Sequence, residues 1–101
     1  MIQIRKCVIE DIRPLIDLFD AYRVFYKMTT DKVSAEKFLA GRIKNQDSVI
    51  YVAENEVGDL TGFIQLYPIF SSTRMLRLWL LNDLFVKPSE RGKGISKMLI
   101  E

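Results

Sequence analysis

The segment that decides the fold is NDLFVKPSERGKGIS, which runs from Asn82 to Ser96. Leu76 to Val86 is long and apolar and predicts a central β-strand. Lys87 to Glu90 predicts a turn, and Gly92 to Glu101 predicts the beginning of a helix. At such a junction several backbone N–H groups point outward, and the helix dipole adds positive potential. The segment therefore indicates a site for a phosphate or pyrophosphate group.

Two glycines and two basic residues support this interpretation. Gly92 and Gly94 let the backbone approach a ligand closely because they carry no Cβ. Arg91 and Lys93 add positive charge. An ordinary strand–helix turn could have the same residues, so they alone leave both interpretations open. The spacings of a Walker phosphate loop and of the dinucleotide G-x-G-x-x-G pattern are absent, which argues against an NTPase or a Rossmann enzyme.

The rest of the chain predicts two helices and three more strands. Asp11 can cap the first helix, Ser34 can cap the second, and Pro68 to Arg74 is expected to be a loop. The remaining predicted elements are a strand from Ile2 to Lys6, a helix from residue 11 to about 27, and strands from Ser48 to Ala53 and from Thr61 to Tyr67. The last two strands are expected to pair as a hairpin. The fold class is α+β: one domain over residues 1–101, with a mixed, mainly antiparallel sheet, flanking helices and the order β-α-α-β-β-β-α.

Composition excludes several classes of function. The chain has 101 residues, 49% hydrophobic and 28% charged, which is typical of one soluble globular domain. Histidine is absent and Cys7 is the single cysteine, so imidazole catalysis, a histidine or cysteine metal site and an intrachain disulfide are excluded, and we expect no metal and a cytoplasmic location. A net charge of +2 makes no case for a nucleic-acid partner. No apolar run reaches the roughly 18 residues that span a bilayer, so no membrane is expected.

Arg91 to Ser96, RGKGIS, resembles the R/Q-x-x-G-x-G/A motif of the GNAT acyl-CoA N-acyltransferases. Asp83 to Pro88 resembles the strand that precedes this motif, and Gly62 to Tyr67 resembles the third strand of the family. Ser96 replaces the last glycine or alanine of the motif, and serine is still small. The order of elements matches the N-terminal half of the family, so the resemblance covers essentially the whole chain.

The resemblance implies an N-acetyltransferase in which a small primary amine, polyamine-like or other, attacks the thioester of acetyl-CoA directly. Backbone N–H groups of the motif would hold the pyrophosphate, and one near Leu84 to Val86 would polarise the thioester carbonyl. The residues expected to bind acetyl-CoA are Leu84, Phe85, Val86, Arg91, Gly92, Lys93, Gly94, Ile95 and Ser96.

Asp83 is the first candidate for the base that deprotonates the amine, because it lies on the strand that lines the cleft. A structural carboxylate is the alternative for Asp83. Polyamine acetyltransferases have a Glu where this chain has Asn82. Asn82 could orient a water molecule instead of acting as the base itself. Strand alternation predicts that Asn82 and Asp83 lie on opposite faces. Tyr22, Phe25 and Tyr26 are candidates for an aromatic wall at the amine site, and core or rim packing is the alternative.

The family continues beyond the motif helix with further strands and a helix, whereas this sequence stops at Glu101 without a capping signal. We therefore expect a partial domain with an unpaired sheet edge, and from it a homo-oligomer. Two hypotheses remain open. One is an active acetyltransferase, and the other is a truncated, catalytically incompetent domain that binds CoA weakly or only self-associates.

Overall fold

The computed structural model describes residues 1–101 and contains one antiparallel sheet of four strands, which lie side by side in the order in which they occur along the chain. The strands are Gln3–Lys6 (β1), Val49–Glu54 (β2), Leu60–Ser71 (β3) and Leu76–Val86 (β4), and the helices are Ile12–Phe25 (α1), Lys32–Asn45 (α2) and Ile95–Ile100 (α3). Short 3-10 turns at Ile9–Asp11 and Pro88–Glu90 precede α1 and α3. The predicted fold class and element order are confirmed.

Period-two alternation along β3 and β4 divides the core between the two faces of the sheet. Phe63 and Phe85 face α1 and α2, whereas Ile64 and Val86 face α3. The α1 and α2 side is the larger, because α1 is amphipathic and directs an apolar face onto the sheet. Buried apolar residues of the three helices are Leu15, Ile16, Leu18 and Phe19 of α1, Ala35 and Leu39 of α2, and Ile95 and Leu99 of α3. The longest helices have 14 residues, too few to span a lipid bilayer.

The helix caps differ in part from the predicted ones. Asp11 stands at the N-cap of α1, but its carboxylate accepts from the Val8 N–H and from both terminal nitrogens of Arg5, each at 2.8 Å. The prediction that Ser34 caps α2 is wrong. Asp31 is the cap residue, and its carboxylate accepts the N–H of Ser34 at 3.1 Å. Aspartate stabilises a helix start in this way because its oxygen satisfies an N–H that has no partner within the helix.

The prediction of a loop over Pro68 to Arg74 is also wrong at its start. β3 continues through Pro68 to Ser71 and pairs with Leu76 to Trp79 of β4, which leaves only a turn over residues 72–75. The pairing of β2 with β3 ends at Leu66. Pro68 therefore has a neighbouring strand on one side only, where its missing N–H need not cost a ladder hydrogen bond.

β4 is the edge strand of this sheet and not a central one, in contrast to the prediction. Several large apolar side chains of β4 are consequently exposed: Leu76, Trp79, Leu80 and Leu81. β4 also contains a β-bulge, because Gln65 pairs with Asp83 while the next residue of β3, Leu66, pairs with Leu81. Asn82 is the extra residue, so the polar interruption in the sequence is a bulge and does not end the strand.

Candidate active site

A cleft of about 240 Å³ lies where β4 runs into the loop before α3. Eight of the nine residues predicted to bind acetyl-CoA line it, and Lys93 does not. Two residues predicted for the amine site, Phe25 and Tyr26, form part of its wall. The full lining consists of Phe25, Tyr26, Leu84, Phe85, Val86, Glu90, Arg91, Gly92, Gly94, Ile95 and Ser96.

The loop takes a shape that depends on its glycines. The φ angles of Gly92 and Gly94 are +86° and +77°, in the left-handed region that other residues avoid. A Cβ built on either glycine would meet no heavy atom within 4 Å. Backbone conformation, and not crowding within the chain, therefore requires glycine at these positions. The space beside both residues is open.

Six consecutive backbone N–H groups of this loop, from Gly92 to Lys97, have no acceptor within the chain. The neighbouring N–H groups are used: those of Glu90 and Arg91 donate to the carbonyls of Lys87 and Pro88, and that of Met98 donates to the carbonyl of Gly94. No side-chain oxygen accepts from the six groups. Backbone donors are strong hydrogen-bonding groups that need partners. The loop thus presents a row of free donors at the cleft, as the sequence predicted.

The end of β4 contributes two more free backbone donors. The N–H of Lys87 donates to the carbonyl of Thr61 at 2.9 Å. Bonded and non-bonded pairs alternate along an antiparallel ladder, so the N–H groups of Leu84 and Val86 point away from β3 toward the open edge. The Val86 carbonyl, which points the same way, accepts from Nε of Arg91 at 3.0 Å.

Arg91 joins the loop to the aromatic wall. Besides its bond to Val86, its guanidinium lies over the rings of Phe25 and Phe85, 5.2 Å and 5.4 Å from the ring centroids. Such cation–π contacts hold the side chain in place. Its two terminal nitrogens donate to no group of the chain, so the charge is fixed at the cleft and its outer donors are free.

Lys93 acts on the cleft through another residue. Its ammonium lies 2.6 Å from a carboxylate oxygen of Glu90, which lines the cleft. This ion pair offsets the negative charge that Glu90 would otherwise bring to the cleft. Sequence analysis did not single out Glu90, although a Glu three residues before a Lys is a spacing that commonly forms ion pairs.

Asp83 lies outside the lining of this cleft and is buried, with 6% of its surface exposed. Four neutral groups donate to its carboxylate. Tyr22 Oη and Asn82 Nδ2 donate to Oδ1 at 2.9 Å and 3.0 Å, and Gln65 Nε2 and Tyr67 Oη donate to Oδ2 at 2.8 Å and 3.3 Å. We call these five residues the Asp83 network. Asn82 is exposed, and the bulge brings its amide back onto the neighbouring carboxylate, which simple strand alternation does not predict.

Tyr22 belongs to the Asp83 network and not to the lining of the cleft. Burial, followed by the hydrogen bond to Asp83, raises the pKa of its hydroxyl above the ordinary range for tyrosine. Its ring packs edge-on against those of Phe63, Phe85 and Tyr26. Tyr22 therefore connects the aromatic wall of the cleft with Asp83.

Sequence analysis missed Gln65 and Tyr67. Gln65 is fully buried and accepts from the Ser48 hydroxyl at 2.8 Å while it donates to Asp83. Burial and the charge of Asp83 raise the pKa of Tyr67 to about 12. The available signal was the spacing of Phe63, Gln65 and Tyr67, which puts two polar groups on the buried face of a strand. Among all 101 residues, no group of three or more Asp, Glu or Cys side chains is placed to hold a metal ion.

Known proteins resemble this chain in sequence. The family model described as an acetyltransferase (GNAT) domain matches residues 46–101. An uncharacterized N-acetyltransferase of Bacillus subtilis (strain 168), YhfO, is 46% identical over 97 residues, which are 96% of this chain and 64% of the relative. A probable acetyltransferase of Haemophilus influenzae is 34% identical over 90 residues, 89% of this chain and 62% of the relative. The chain thus spans less than two thirds of the length of these curated relatives.

Solved structures share the fold. The crystal structure of a probable acetyltransferase superimposes with a TM-score of 0.92 at 39% identity. The superimposed region covers 97% of this chain and 66% of the chain in that structure. At 17% identity, the crystal structure of a predicted acetyltransferase with acetyl-CoA from Clostridium acetobutylicum has a TM-score of 0.80, covering 99% of this chain and 69% of its own. The likeness at 17% identity supports the fold alone.

Proposed function

Because the chain belongs to the GNAT acetyltransferase family, we propose that it binds acetyl-CoA in the cleft and transfers the acetyl group to a primary amine of a small molecule. The row of free N–H groups from Gly92 to Lys97 carries this proposal. Acetyl-CoA would supply the activated acetyl thioester. A solved protein of the same fold, from Clostridium acetobutylicum, holds acetyl-CoA, so this fold can accommodate the proposed donor.

The residues of the loop fit a pyrophosphate. Oxygen atoms of phosphates accept hydrogen bonds from backbone N–H groups of a glycine-rich turn, and such groups need no side-chain charge to do so. The positive φ angles of Gly92 and Gly94 set the loop conformation, and the space beside both glycines is open. Arg91 adds a positive charge whose two terminal nitrogens are free to donate. An anion in the loop would therefore interact both with the backbone N–H dipoles and with the guanidinium charge.

The end of β4 fits the remainder of the donor molecule. The free N–H groups of Leu84 and Val86 face the cleft edge, where one of them would donate to a thioester carbonyl oxygen. A donor held in advance at that position stabilises the negative charge that develops on the oxygen during acyl transfer. Strand β4 fixes the direction of the N–H, because its other side is bound to β3.

The roles of Asp83 and Asn82 in catalysis are part of the proposal. Donors already occupy the carboxylate oxygens of Asp83, so an incoming group reaches them only if one donor moves away. Asn82 is the exposed donor. Its displacement would open one acceptor position of Oδ1 to a water or an amine, while Tyr22 still donates to the same oxygen. In this proposal Asn82 controls access to Asp83 and does not itself act as a base.

The alternative function is a catalytically incompetent domain that binds CoA or self-associates. The observation in its favour is the exposed apolar edge of β4, where Trp79 and Leu80 are 47% and 45% exposed. Unpaired edges of this kind pair readily with a second chain, so we include a homo-oligomer in the proposal. A cytoplasmic location is also part of it, since the single cysteine, Cys7, is free.

Calorimetric titration with CoA tests the proposal. We expect Gly94→Glu to abolish binding, because the new carboxylate repels the pyrophosphate and fills the open space. Gly58→Glu is the matched control: Gly58 also has a positive φ, +91°, and open surroundings, but lies in the turn between β2 and β3. Unchanged CoA affinity in Gly94→Glu, or no binding by the parent chain, would refute the assignment of the loop.

An acetylation assay then separates the two candidate functions. Acetyl-CoA is mixed with the chain and propylamine, and release of free thiol is followed over time. Thiol release above the uncatalysed rate, lost in Gly94→Glu, supports the transferase. CoA binding without thiol release supports the incompetent domain.

A further inference from the structure

A second cavity, of about 230 Å³, lies where α2 and β1 end and β2 begins. It shares no lining residue with the cleft at the end of β4. A space of this size suits a ligand of a few heavy atoms, because drug-sized molecules occupy roughly 300 Å³ or more. We call it the α2 cavity; its polar lining is Lys6, Arg42, Gln46 and Ser48, and its apolar lining is Cys7, Ile43 and Ile50.

Hydrogen-bond donors without partners are concentrated at this cavity. Nε of Arg42 donates to Asp47 at 2.7 Å, but the two terminal nitrogens of the guanidinium donate to no group of the chain. The chain enters the left-handed region at Gln46, where φ is +52°. The backbone N–H groups of Gln46, Asp47 and Ser48 have no acceptor within the chain. The cavity therefore offers a guanidinium fork and unpaired backbone donors together.

The charge around the α2 cavity favours an anion. Asp47 is bound to Arg42, whereas the ammonium of Lys6 takes part in no ion pair. The last turn of α2 brings the negative end of a helix dipole, and it carries Arg42 and Lys44, whose positive charges offset that end. Lys6 and the unused side of the guanidinium thus remain available to an anionic ligand.

The apolar lining of the cavity, Cys7, Ile43 and Ile50, selects among anions. The thiol of Cys7 is neutral at pH 7, because burial raises its pKa to about 12. The charge of Asp11 acts on this thiol, but both terminal nitrogens of Arg5 already bind the Asp11 carboxylate. A short alkyl chain would cover the apolar lining, whereas an inorganic phosphate would leave it uncovered.

We propose that the α2 cavity binds a small carboxylate that carries a short alkyl chain. The two terminal nitrogens of Arg42 match the two oxygens of a carboxylate, and such paired bonds are strong. The ring of Phe38, 4.9 Å from Cζ of Arg42, helps to hold the guanidinium in place. The free N–H groups of Gln46 and Ser48 supply further donors at the same cavity. The site is separate from the cleft, so this inference does not depend on the proposed function.

Ser48 joins the α2 cavity to the Asp83 network. Its hydroxyl donates its only hydrogen to Oε1 of Gln65 at 2.8 Å, and Nε2 of Gln65 donates to Asp83 at 2.8 Å. A carboxylate that takes the Ser48 hydrogen leaves Oε1 of Gln65, which is fully buried, without a donor. Loss of a partner by a buried polar group is costly. Occupation of the cavity is therefore coupled to the hydrogen bonds that hold Asp83.

Titration of the ¹⁵N-labelled chain with sodium butyrate at constant ionic strength tests the site. Butanamide is the neutral probe of matched size, because a carboxyl group is ionised at pH 7 and an amide is not. We expect butyrate to cause saturable shifts of the backbone amides of Gln46, Asp47 and Ser48 and of the side-chain amide of Gln65, and butanamide to leave them unchanged. Equal shifts with both probes, or no shift at these positions, would overturn the proposal.

Inorganic phosphate separates the carboxylate from anions in general. It can accept from the same donors, but it has no alkyl chain to cover Cys7, Ile43 and Ile50. Phosphate should therefore bind more weakly than butyrate. Phosphate affinity equal to or above that of butyrate would overturn the assignment of an alkyl carboxylate.

Two variants at the end of α2 form a matched pair. Arg42→Gln and Lys44→Gln each remove one positive charge there, but only Arg42 lines the cavity. Butyrate affinity should fall roughly tenfold in Arg42→Gln and less than about twofold in Lys44→Gln. Equal losses in the two variants would mean general attraction of anions and would overturn the site. If Arg42→Gln fails to fold, the comparison of butyrate with butanamide on the parent chain still decides.

Ser48→Ala tests the coupling to Asp83. This variant should still bind butyrate, but the side-chain amide of Gln65 should no longer shift, because the hydrogen for which the ligand competes is gone. A Gln65 signal that shifts as in the parent would overturn the coupling. CoA titration of the parent chain keeps the two proposals apart: CoA binding without butyrate binding overturns this inference alone, and butyrate binding without CoA binding overturns the proposed function alone.

Discussion

Replacing Gly62 with alanine should destabilise the fold, because β3, β4 and α3 approach one another closely at this glycine. A Cβ on Gly62 would lie 3.0 Å from the carbonyl oxygen of Phe85, 3.3 Å from Cγ2 of Val86 and 3.4 Å from Cδ1 of Leu99. The first contact is with backbone, which cannot rotate away, so β4 must move by a few tenths of an ångström. Overpacking of this kind costs about 1–3 kcal/mol.

The net effect is smaller. Alanine lowers the conformational entropy of the unfolded chain, which stabilises the folded state by up to about 1 kcal/mol. We therefore expect Gly62→Ala to lower the free energy of unfolding by about 1–2 kcal/mol. For a domain of this size that corresponds to a Tm lower by roughly 4–16 °C. Gly41→Ala is the matched control: Gly41 lies inside α2 with no atom within 4 Å of a built Cβ. Its free energy of unfolding should rise by about 0.5–1 kcal/mol.

Thermal unfolding followed by circular dichroism, with urea titration for the free energy, measures both variants. A Gly62→Ala protein with a Tm equal to or above that of the parent would refute the close packing of β3, β4 and α3. The same variant should also weaken CoA binding, because Leu99 belongs to the helix that follows the loop.

Two further predictions concern acid stability and self-association. The hydrogen bonds from Arg5 to Asp11 and from the Asp31 N–H to Asp20 lower the pKa of both carboxyls. A carboxyl whose pKa is lower in the folded state stabilises the fold above its unfolded pKa, near pH 4, and loses that contribution as the pH falls. The Tm should therefore drop as the pH falls below about 4, and less steeply in Asp20→Asn; a Tm independent of pH in this range would contradict the assignment. Separately, the exposed edge of β4 should make the chain dimerise, and Leu80→Lys should shift it to monomer, since a charge on an edge strand opposes pairing. Sedimentation velocity measures this, and a parent chain that stays monomeric at high concentration would remove the edge as an interface.

Much of the fold and the loop could be predicted from sequence because local rules decide them. The strand–turn–helix junction depends on Gly92 and Gly94, whose positive φ angles no other residue adopts as readily. The helical spacing of apolar residues in α1 agrees with the burial of Leu15, Ile16 and Phe19, whereas Tyr26, which continues that spacing, is exposed. The free N–H groups of the loop follow from the same local geometry.

Apart from the local choice of Ser34 over Asp31 as the cap of α2, the errors arose where pairing between distant segments decides the structure. Pro68 predicted a loop, but β4 pairs with that stretch and β2 does not reach it. Strand alternation predicted that Asn82 and Asp83 lie on opposite faces of the sheet. The bulge at Asn82 interrupts that alternation, and a bulge depends on how two strands pair, which one strand's sequence does not show. Gln65 and Tyr67 were missed for the same reason, since only the register of β3 with β4 places them against Asp83.

The central claim is that the N–H groups from Gly92 to Lys97 bind the pyrophosphate of CoA. Titration of the ¹⁵N-labelled chain with CoA tests it residue by residue. The account predicts that the largest amide shifts fall on Gly92 to Lys97, with smaller shifts at Leu84 and Val86. Saturable binding that leaves the amides of Gly92 to Lys97 unshifted would contradict it.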